Sequence, residues 1–263
     1  MKIAILYICT GKYNQFFEGF YKSCERYFLK GVAKFDYYVF TDDTKISTER
    51  NVHVIYKKCA GFPADSLFRF EMFLQVKEKL EMADYIFFFN SNAEFLAAVG
   101  EEVLPNDEKT LVGAEWPGKR KPFKHPMFYP YERNKKSLAY ISPWEHKPYV
   151  YYMGGINGGF AKDYLQMIET LALNIRKDYE KGIIACFHDE SHVNKYFRTH
   201  DCKILSPEYC FPEEWIYPGF HPKIIFRDKV KLDSYFNKGR DRSLKGKFIK
   251  GASIVKRAIQ WYI

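Results

Sequence analysis

The sequence predicts an α/β fold built on a mostly parallel central sheet, and three observations lead there. Short apolar runs of strand length alternate with stretches whose apolar residues recur at helical spacing, the pattern of strand–helix–strand units. The chain has 263 residues, 47% hydrophobic and 19% aromatic, enough to enclose a substantial core. No internal repeat and no Gly/Ser-rich linker divides it, so one folded unit over residues 1–244 is expected, followed by a basic tail over 245–263.

Ile3 to Ile8 reads as the first strand, and Thr10-Gly11-Lys12 breaks it. From Asn14 to Phe28 the residues Phe17, Phe20, Tyr21, Cys24 and Phe28 share one face of a helix. FDYYVFTDD (35–43), VHVIYK (52–57) and YIFFF (85–89) read as further strands, with a helix over Ser66 to Leu80 before the last. Ligands of parallel sheets bind beyond the carboxyl ends of the strands, which singles out the Ile8 to Tyr13 turn and Asn90 to Asn92. Residues 119–148, rich in Pro and aromatic side chains, are too long for an ordinary connection and read as a functional cover. In YVYYMGGINGGFA (149–161) the paired glycines read by spacing as a tight strand-to-helix turn, the alternative being backbone pressed close to a ligand. A helix from Ala161 to Lys181 and a short one in HDESHVNKYFRTH, with Val193, Tyr196 and Phe197 inward, complete the pattern.

The 41 Lys and Arg against 32 Asp and Glu, a net charge of +9, favour an anionic partner without choosing among nucleotide, nucleic acid and membrane surface. No G-x-x-x-x-G-K-[ST] or G-x-G-x-x-G stretch occurs, so ATPase and dinucleotide readings lose their usual support. Nothing beyond charge and aromatics speaks for nucleic acid, and no such partner is expected. Cys9, Cys24, Cys59, Cys186, Cys202 and Cys210 are scattered, without C-x-x-C pairs, and are expected as reduced thiols in the core. The amino-terminal MKIAILYICTGKY is too short to span a bilayer and lacks a signal-cleavage pattern, so a cytoplasmic location is expected. The tail interleaves Lys and Arg with Phe248, Ile249, Ile254, Val255, Ile259, Trp261 and Tyr262. It fits equally a helix peripheral to the inner face of an anionic membrane and one docked on the protein's own core.

His188-Asp189-Glu190, after the apolar IIACF (183–187), is the strongest chemical candidate. A carboxylate there could serve as nucleophile or stabilise positive charge, although acids at a helix amino terminus also simply complement the dipole. His188 and His192 stand at the i, i+4 spacing of a zinc helix, but the glutamate does not follow the first histidine as that motif requires. In FFFNSNAEF (87–95) an apolar strand ends in Asn90-Ser91-Asn92, where many sugar-nucleotide enzymes carry two carboxylates for a divalent metal.

Taken jointly and in order, YYVFTD (37–42), YER…AYI (131–141), YYMGGINGG (151–159), HDESHVNKY (188–196) and LSPEY (205–209) resemble the histo-blood-group A/B type α1,3-glycosyltransferases, glycosyltransferase family 6, over roughly residues 3–232. The resemblance implies a GT-A fold and transfer of galactose or N-acetylgalactosamine from a UDP-sugar to a galactoside 3-hydroxyl, with retention of configuration. It places Glu190 against the anomeric carbon, as nucleophile or as the anion beside an oxocarbenium-like centre. His188, Asp189 and Arg69 would hold the donor sugar. Ile8, Thr10 and Tyr13 fall on the uridine turn, and Phe62 falls beside the base. Met153-Gly154-Gly155 falls on the segment that sorts donors: a side-chain-free Gly155 argues for UDP-GalNAc, whereas Met153 resembles the galactose-using version. On the acceptor side the family's His, Trp and acid are replaced by Trp116, Phe187 and Pro212-Glu213, and with Glu190 these are expected to receive a fucosylated galactoside of H type.

Asn90 and Asn92 stand at the family's Asp-x-Asp, as in its bacterial members, and neutral amides are poor ligands for a dication, so no metal or other cofactor is expected. Lys231, at the place of a phosphate-contacting lysine, is then the first candidate to meet the charge of departing UDP, with Lys238, Arg240 and Arg242 in the same basic stretch. The rival class is a non-catalytic glycan- or nucleotide-binding module in which the lost carboxylates mark a decayed site. Retention of Glu190, Asp189, Arg69 and Tyr13 argues against it.

Overall fold

The computed structural model describes residues 1–118, 125–237 and 243–262, with 244–248 and 250 in backbone only, so that Lys238, Arg240 and Arg242 lie outside the described residues. The strands, in chain order, are β1 Lys2–Ile8, β2 Lys34–Thr41, β3 Val52–Tyr56, β4 Tyr85–Phe89, β5 Ala93–Phe95, β6 Leu111–Glu115, β7 Tyr152–Phe160, β8 Cys202–Leu205, β9 Phe211–Pro212 and β10 Ile224–Phe226. Seven form the main sheet in the order β3-β2-β1-β4-β7-β6-β8, and β5-β10-β9 form a small second sheet. Only β7 runs against its neighbours β4 and β6; every other pair in the main sheet is parallel. The result is a mixed α/β architecture, consistent with the GT-A fold that the resemblance implies.

Side chains alternate across the sheet. Ile3, Ile5 and Tyr7 of β1 and Phe87 and Phe89 of β4 pack with Phe17 and Phe20 of helix α1 (Phe17–Tyr27). Ala4, Leu6, Ile86 and Phe88 face the opposite layer. Burial on both faces explains why these strands are continuous apolar runs rather than alternating ones. The opposite layer is built from α2 (Ala64–Leu67), α3 (Arg69–Leu74), α4 (Lys77–Leu80), α5 (Ala161–Glu180) and α6 (His188–Thr199); α7 (Lys229–Leu232) and α8 (Leu244–Gln260) follow.

The expected helix over Ser66 to Leu80 is in fact the three short pieces α2 to α4, broken at Phe68 (φ −97°, ψ 19°) and Val76 (φ −118°, ψ 20°). On one straight helix Met72 would stand about 140° around from Leu67. With the breaks both are buried, together with Phe70, Phe73 and Leu80. The paired glycines make no turn but lie inside β7. A Cβ at Gly158 would stand 2.4 Å from Phe87 Cδ1 and 2.7 Å from the Ile86 carbonyl oxygen, so β4 and β7 approach only because it is missing. Of the cysteines, all free thiols, Cys9, Cys24, Cys202 and Cys210 are in the core as expected. Cys59 is half-buried in a surface loop and Cys186 is exposed just before α6.

Residues 125–151 contain almost no regular structure and are held by side chains instead. Tyr129, Tyr131, Ile141 and Tyr151 form a third core with Trp261. Buried Glu132 accepts from the backbone N–H of Arg133, Asn134 and Cys186. Asp178 of α5 accepts from Ser137 Oγ and Leu138 N, and Arg198 of α6 donates to Glu145 and to the carbonyls of Lys147 and Pro148. The tail docks on this layer: the Trp261 indole N–H donates to Ile141 O at 2.7 Å. No described helix is long and apolar enough to cross a membrane.

Candidate active site

Beyond the carboxyl end of β1 the chain turns through Thr10 and Gly11, the latter at φ +55°, where a side chain would be strained. Two carboxylates hold this turn. Asp42 accepts from Gly11 N at 2.7 Å, and Asp65 accepts from Thr10 Oγ and from the N–H groups of Ala60 and Gly61. A cleft of about 490 Å³ opens here, lined by Ile8, Thr10, Tyr13, Phe62, Arg69 and Asn90 among others. A second cleft of about 290 Å³ is lined by Asn90, Asn92, Met153, Gly155 and Glu190. The two share Asn90, Lys229 and Phe236, so they adjoin.

The three residues that open α6 meet three different environments. His188 has φ +50°, a backbone region rare outside glycine and Asn/Asp. Its ring lies edge-on to Phe62 at 4.9 Å, and burial lowers its pKa, so the imidazole is neutral near pH 7. Buried Asp189 pairs with Arg69 at 3.0 Å. Burial raises the Asp189 carboxyl, and the Arg69 charge opposes that rise. Arg69 also donates to Gly154 O at 2.9 Å and stacks over Phe88, while its Nε and Nη2 have no hydrogen-bond partner. A buried guanidinium with two donors unused, lining a cleft, is suited to a polar ligand.

Glu190 is held by neutral donors: Tyr151 Oη–H to Oε1 at 2.5 Å and Gly154 N–H to Oε2 at 2.6 Å. Burial pushes its pKa up to about 7, against the pull of these two hydrogen bonds. A carboxylate fixed in orientation, poorly solvated and half-ionised at neutral pH can attack an electrophilic carbon or stabilise a cation beside it.

A sequence profile of glycosyltransferase family 6 matches residues 1–231. The chain belongs to that family. It is 37% identical over 239 residues to the O-antigen biosynthesis glycosyltransferase WbnI of Escherichia coli, covering 90% of this chain and 99% of that one. It is 33% identical over 224 residues to the globoside alpha-1,3-N-acetylgalactosaminyltransferase 1 of Gallus gallus, covering 81% of this chain and 62% of that one. To the histo-blood group ABO system transferase 2 of Rattus norvegicus it is 29% identical over 235 residues, covering 85% and 68%.

A family 6 glycosyltransferase takes a nucleotide-sugar donor and a glycan acceptor. The i, i+4 histidines form no ligand pair in this family 6 chain, because His192 is buried against Asp178 at 3.7 Å and far removed in environment from His188. Burial pushes the His192 pKa down to about 4. The donor set at the strand end does not suit a divalent cation either. Asn90 Nδ2 donates to Asn92 Oδ1 at 2.8 Å, and Asn92 Nδ2 donates to Arg227 O at 2.7 Å, so these neutral amides tie β4 to the basic segment after β10. Among the described residues no three His, Cys, Asp or Glu side chains are grouped to hold a metal ion.

Several positions singled out in the sequence lie elsewhere. Gly155 borders the smaller cleft, but the direction a side chain would take there is filled, since a Cβ would meet Phe226 Cζ at 2.6 Å; at Gly154 it would meet Glu190 Cβ at 2.8 Å. Lys231 lines neither cleft and pairs with Glu213 at 3.6 Å. Glu213 turns to that lysine, to Arg227 and to the Asp228 N–H. Their sequence neighbours Lys229 and Glu214 line the cleft instead, Lys229 with its ammonium 4.8 Å over the Tyr13 ring. Two residues along a single helical turn is enough to change faces, which spacing in an irregular segment does not reveal. Trp116 packs edge-on to Tyr151 at 5.7 Å, one side chain from Glu190. Phe187 immediately precedes α6, with Arg257 of the tail 5.9 Å from its ring. Tyr151, Asp65 and Lys229 were not legible as site residues: each acts through a partner distant in sequence.

Proposed function

We propose that this family 6 glycosyltransferase moves N-acetylgalactosamine from UDP-GalNAc to the 3-hydroxyl of galactose in a Fucα1-2Gal acceptor, with retention and without a divalent metal. The observation that carries the reading is Glu190: its carboxylate is fixed by Tyr151 and Gly154 in the smaller cleft, which adjoins the larger one through Asn90, Lys229 and Phe236. The base and ribose of the donor would occupy the larger cleft against Tyr13 and Phe62, and Arg69 and Asp189 would hold the sugar. Ionised Glu190 would then form a bond to the anomeric carbon as the bond to UDP breaks, and the acceptor oxygen would displace the carboxylate in a second step; or Glu190 would flank the oxocarbenium-like centre while the acceptor oxygen arrives on the side from which UDP departs. In either course the acceptor's 3-hydroxyl proton passes to the leaving phosphate oxygen. Lys229, at the junction of the clefts, would offset the charge growing on UDP, and the Asn90–Asn92 amides would act as structural ties instead of metal ligands.

The choice of N-acetylgalactosamine rests on the named activity of the globoside relatives, since the space above Gly155 is filled. Met153, which lines the smaller cleft, favours the second reading, a UDP-galactose donor. The test is transfer from each donor to 2'-fucosyllactose in excess EDTA, with and without manganese. Transfer from UDP-GalNAc at full rate in EDTA is expected. Dependence on manganese would overturn the metal-free reading, and faster use of UDP-galactose would overturn the donor.

A further inference from the structure

Helix α8 has two unlike faces. Ala258 and Trp261 at its end are buried against the aromatic layer, and Arg257 lies over Phe187. Away from them stand Val255 and Ile259, 53% and 54% exposed, with Ala252 one turn before. Tyr262 extends the stripe, and its ring meets that of Trp144 edge-on at 5.4 Å. Trp144 comes from the long segment after β6 and is 70% exposed. One uncovered apolar stripe therefore crosses from Ala252 to Trp144, built from two separate stretches of chain.

The helix that carries most of it has charge of one sign. Residues 244–263 contain Lys245, Lys247, Lys250, Lys256 and Arg257 and no Asp or Glu. Covering the stripe with a second copy in a two-fold contact would set this basic, acid-free helix, with its exposed Lys256, against its equivalent, which is repulsive. An anionic bilayer satisfies both features at once, taking the stripe into the headgroup boundary and the cations at its surface. Amphipathic aromatic rings such as Trp144 and Tyr262 prefer that same depth. We infer that α8 and Trp144 form an interfacial membrane-binding face for an anionic lipid surface.

The docked side of the helix gives this face a direction. Trp261 contacts Tyr131, Tyr131 contacts Tyr151, and the Tyr151 hydroxyl holds Glu190. A bilayer beneath α8 thus lies on the aromatic side of Glu190, where Trp116 also packs.

The test uses the full chain with vesicles of phosphatidylcholine alone and with about 30% phosphatidylglycerol, read by co-sedimentation at low and high salt. Binding to the anionic vesicles only is expected, falling about fivefold for each cation neutralised, as in Lys256→Gln. The double variant Val255→Ser/Ile259→Ser, whose side chains face away from the docked surface, should lower binding about tenfold or more while melting temperature and transfer to a soluble acceptor stay unchanged. Equal binding to neutral vesicles, no binding to anionic ones at low salt, or full binding by the double variant would each overturn the inference. So would sedimentation showing a dimer that the double variant dissolves. Because lipid binding and transfer are read separately, failure here leaves the enzymatic reading untouched.

Discussion

At the carboxyl ends of the strands the candidate residues sit on short tied turns, with Asp42 and Asp65 collecting backbone N–H groups after β1 and β3 and the Asn90 and Asn92 amides tying the end of β4, while Asp189 at the start of α6 pairs with Arg69. Across Glu190, residues 125–151, with scarcely any regular backbone, form a layer of aromatic rings with Trp261 at the end of α8, tied down by Glu132, Asp178 and Arg198. The first region gets its shape from the sheet, so it is rigid wherever the sheet is. The second gets its shape from side-chain packing, and Glu190 takes its position from that packing through Tyr151. The two carboxylates that stand side by side in sequence thus differ in kind: Asp189 answers a cation, Glu190 only neutral donors.

The largest effects should come from breaking each carboxylate's own arrangement. Glu190→Gln should lower transfer about 10²-fold or more with UDP binding unchanged by calorimetry; retained transfer would remove Glu190 from the chemistry. Arg69→Met leaves Asp189 buried without its cation and should cost about 3–5 kcal/mol of stability in urea titration at neutral pH. On the nucleotide side, Lys229→Ala should raise the donor KM about tenfold whereas Lys231→Ala should change it little; the reverse order would mean that α7 turns over when the donor binds.

A subtler contrast lies in pH. A carboxyl held near 7 is ionised only above that pH, so the rate on bound donor should rise with pH through about 7. Tyr151→Phe removes a donor that favours the anion and should move that midpoint upward. The same raised value means that the contribution of Glu190 to stability is present below the ordinary glutamate range and is lost as pH rises through 7. The smallest effect belongs to the far edge of the aromatic layer. Trp261→Phe keeps the ring but leaves Ile141 O without its donor, a loss of about 1–2 kcal/mol that should appear as a lower melting temperature.

The same division explains what the sequence disclosed. Strands buried on both faces announce themselves as apolar runs, which is why β1, β2, β4 and the turns after them were readable. LVGAE and CKIL, strands β6 and β8, are too short and mixed to stand out, and β7 was masked by its glycines, which mark close packing rather than a turn. Asp189 and Glu190 stood out as adjacent carboxylates, but their expected roles and the choice of Arg69 came through resemblance, because the Asp189–Arg69 pair joins α3 and α6 across a separation that no periodicity records. Lys229 and Glu214 were each missed in favour of a neighbour, Lys231 and Glu213, since irregular segments have no period from which a facing direction can be read. Tyr151 is one tyrosine among several in YVYY, and only the fold selects it.

The glycine track of β7 bears on how such an enzyme could change its sugar. At positions 154, 155, 158 and 159 the volume of a side chain already belongs to Glu190, Phe226, Phe87 and Leu111 or its neighbours, so even alanine displaces a structural partner. These sites are closed to drift, and a library varied there would return mostly misfolded or inert clones. On the proposed reading, freedom to explore new donors would fall to Met153, the one residue of its triplet with a side chain in the cleft, and to the segments that line it from the second sheet.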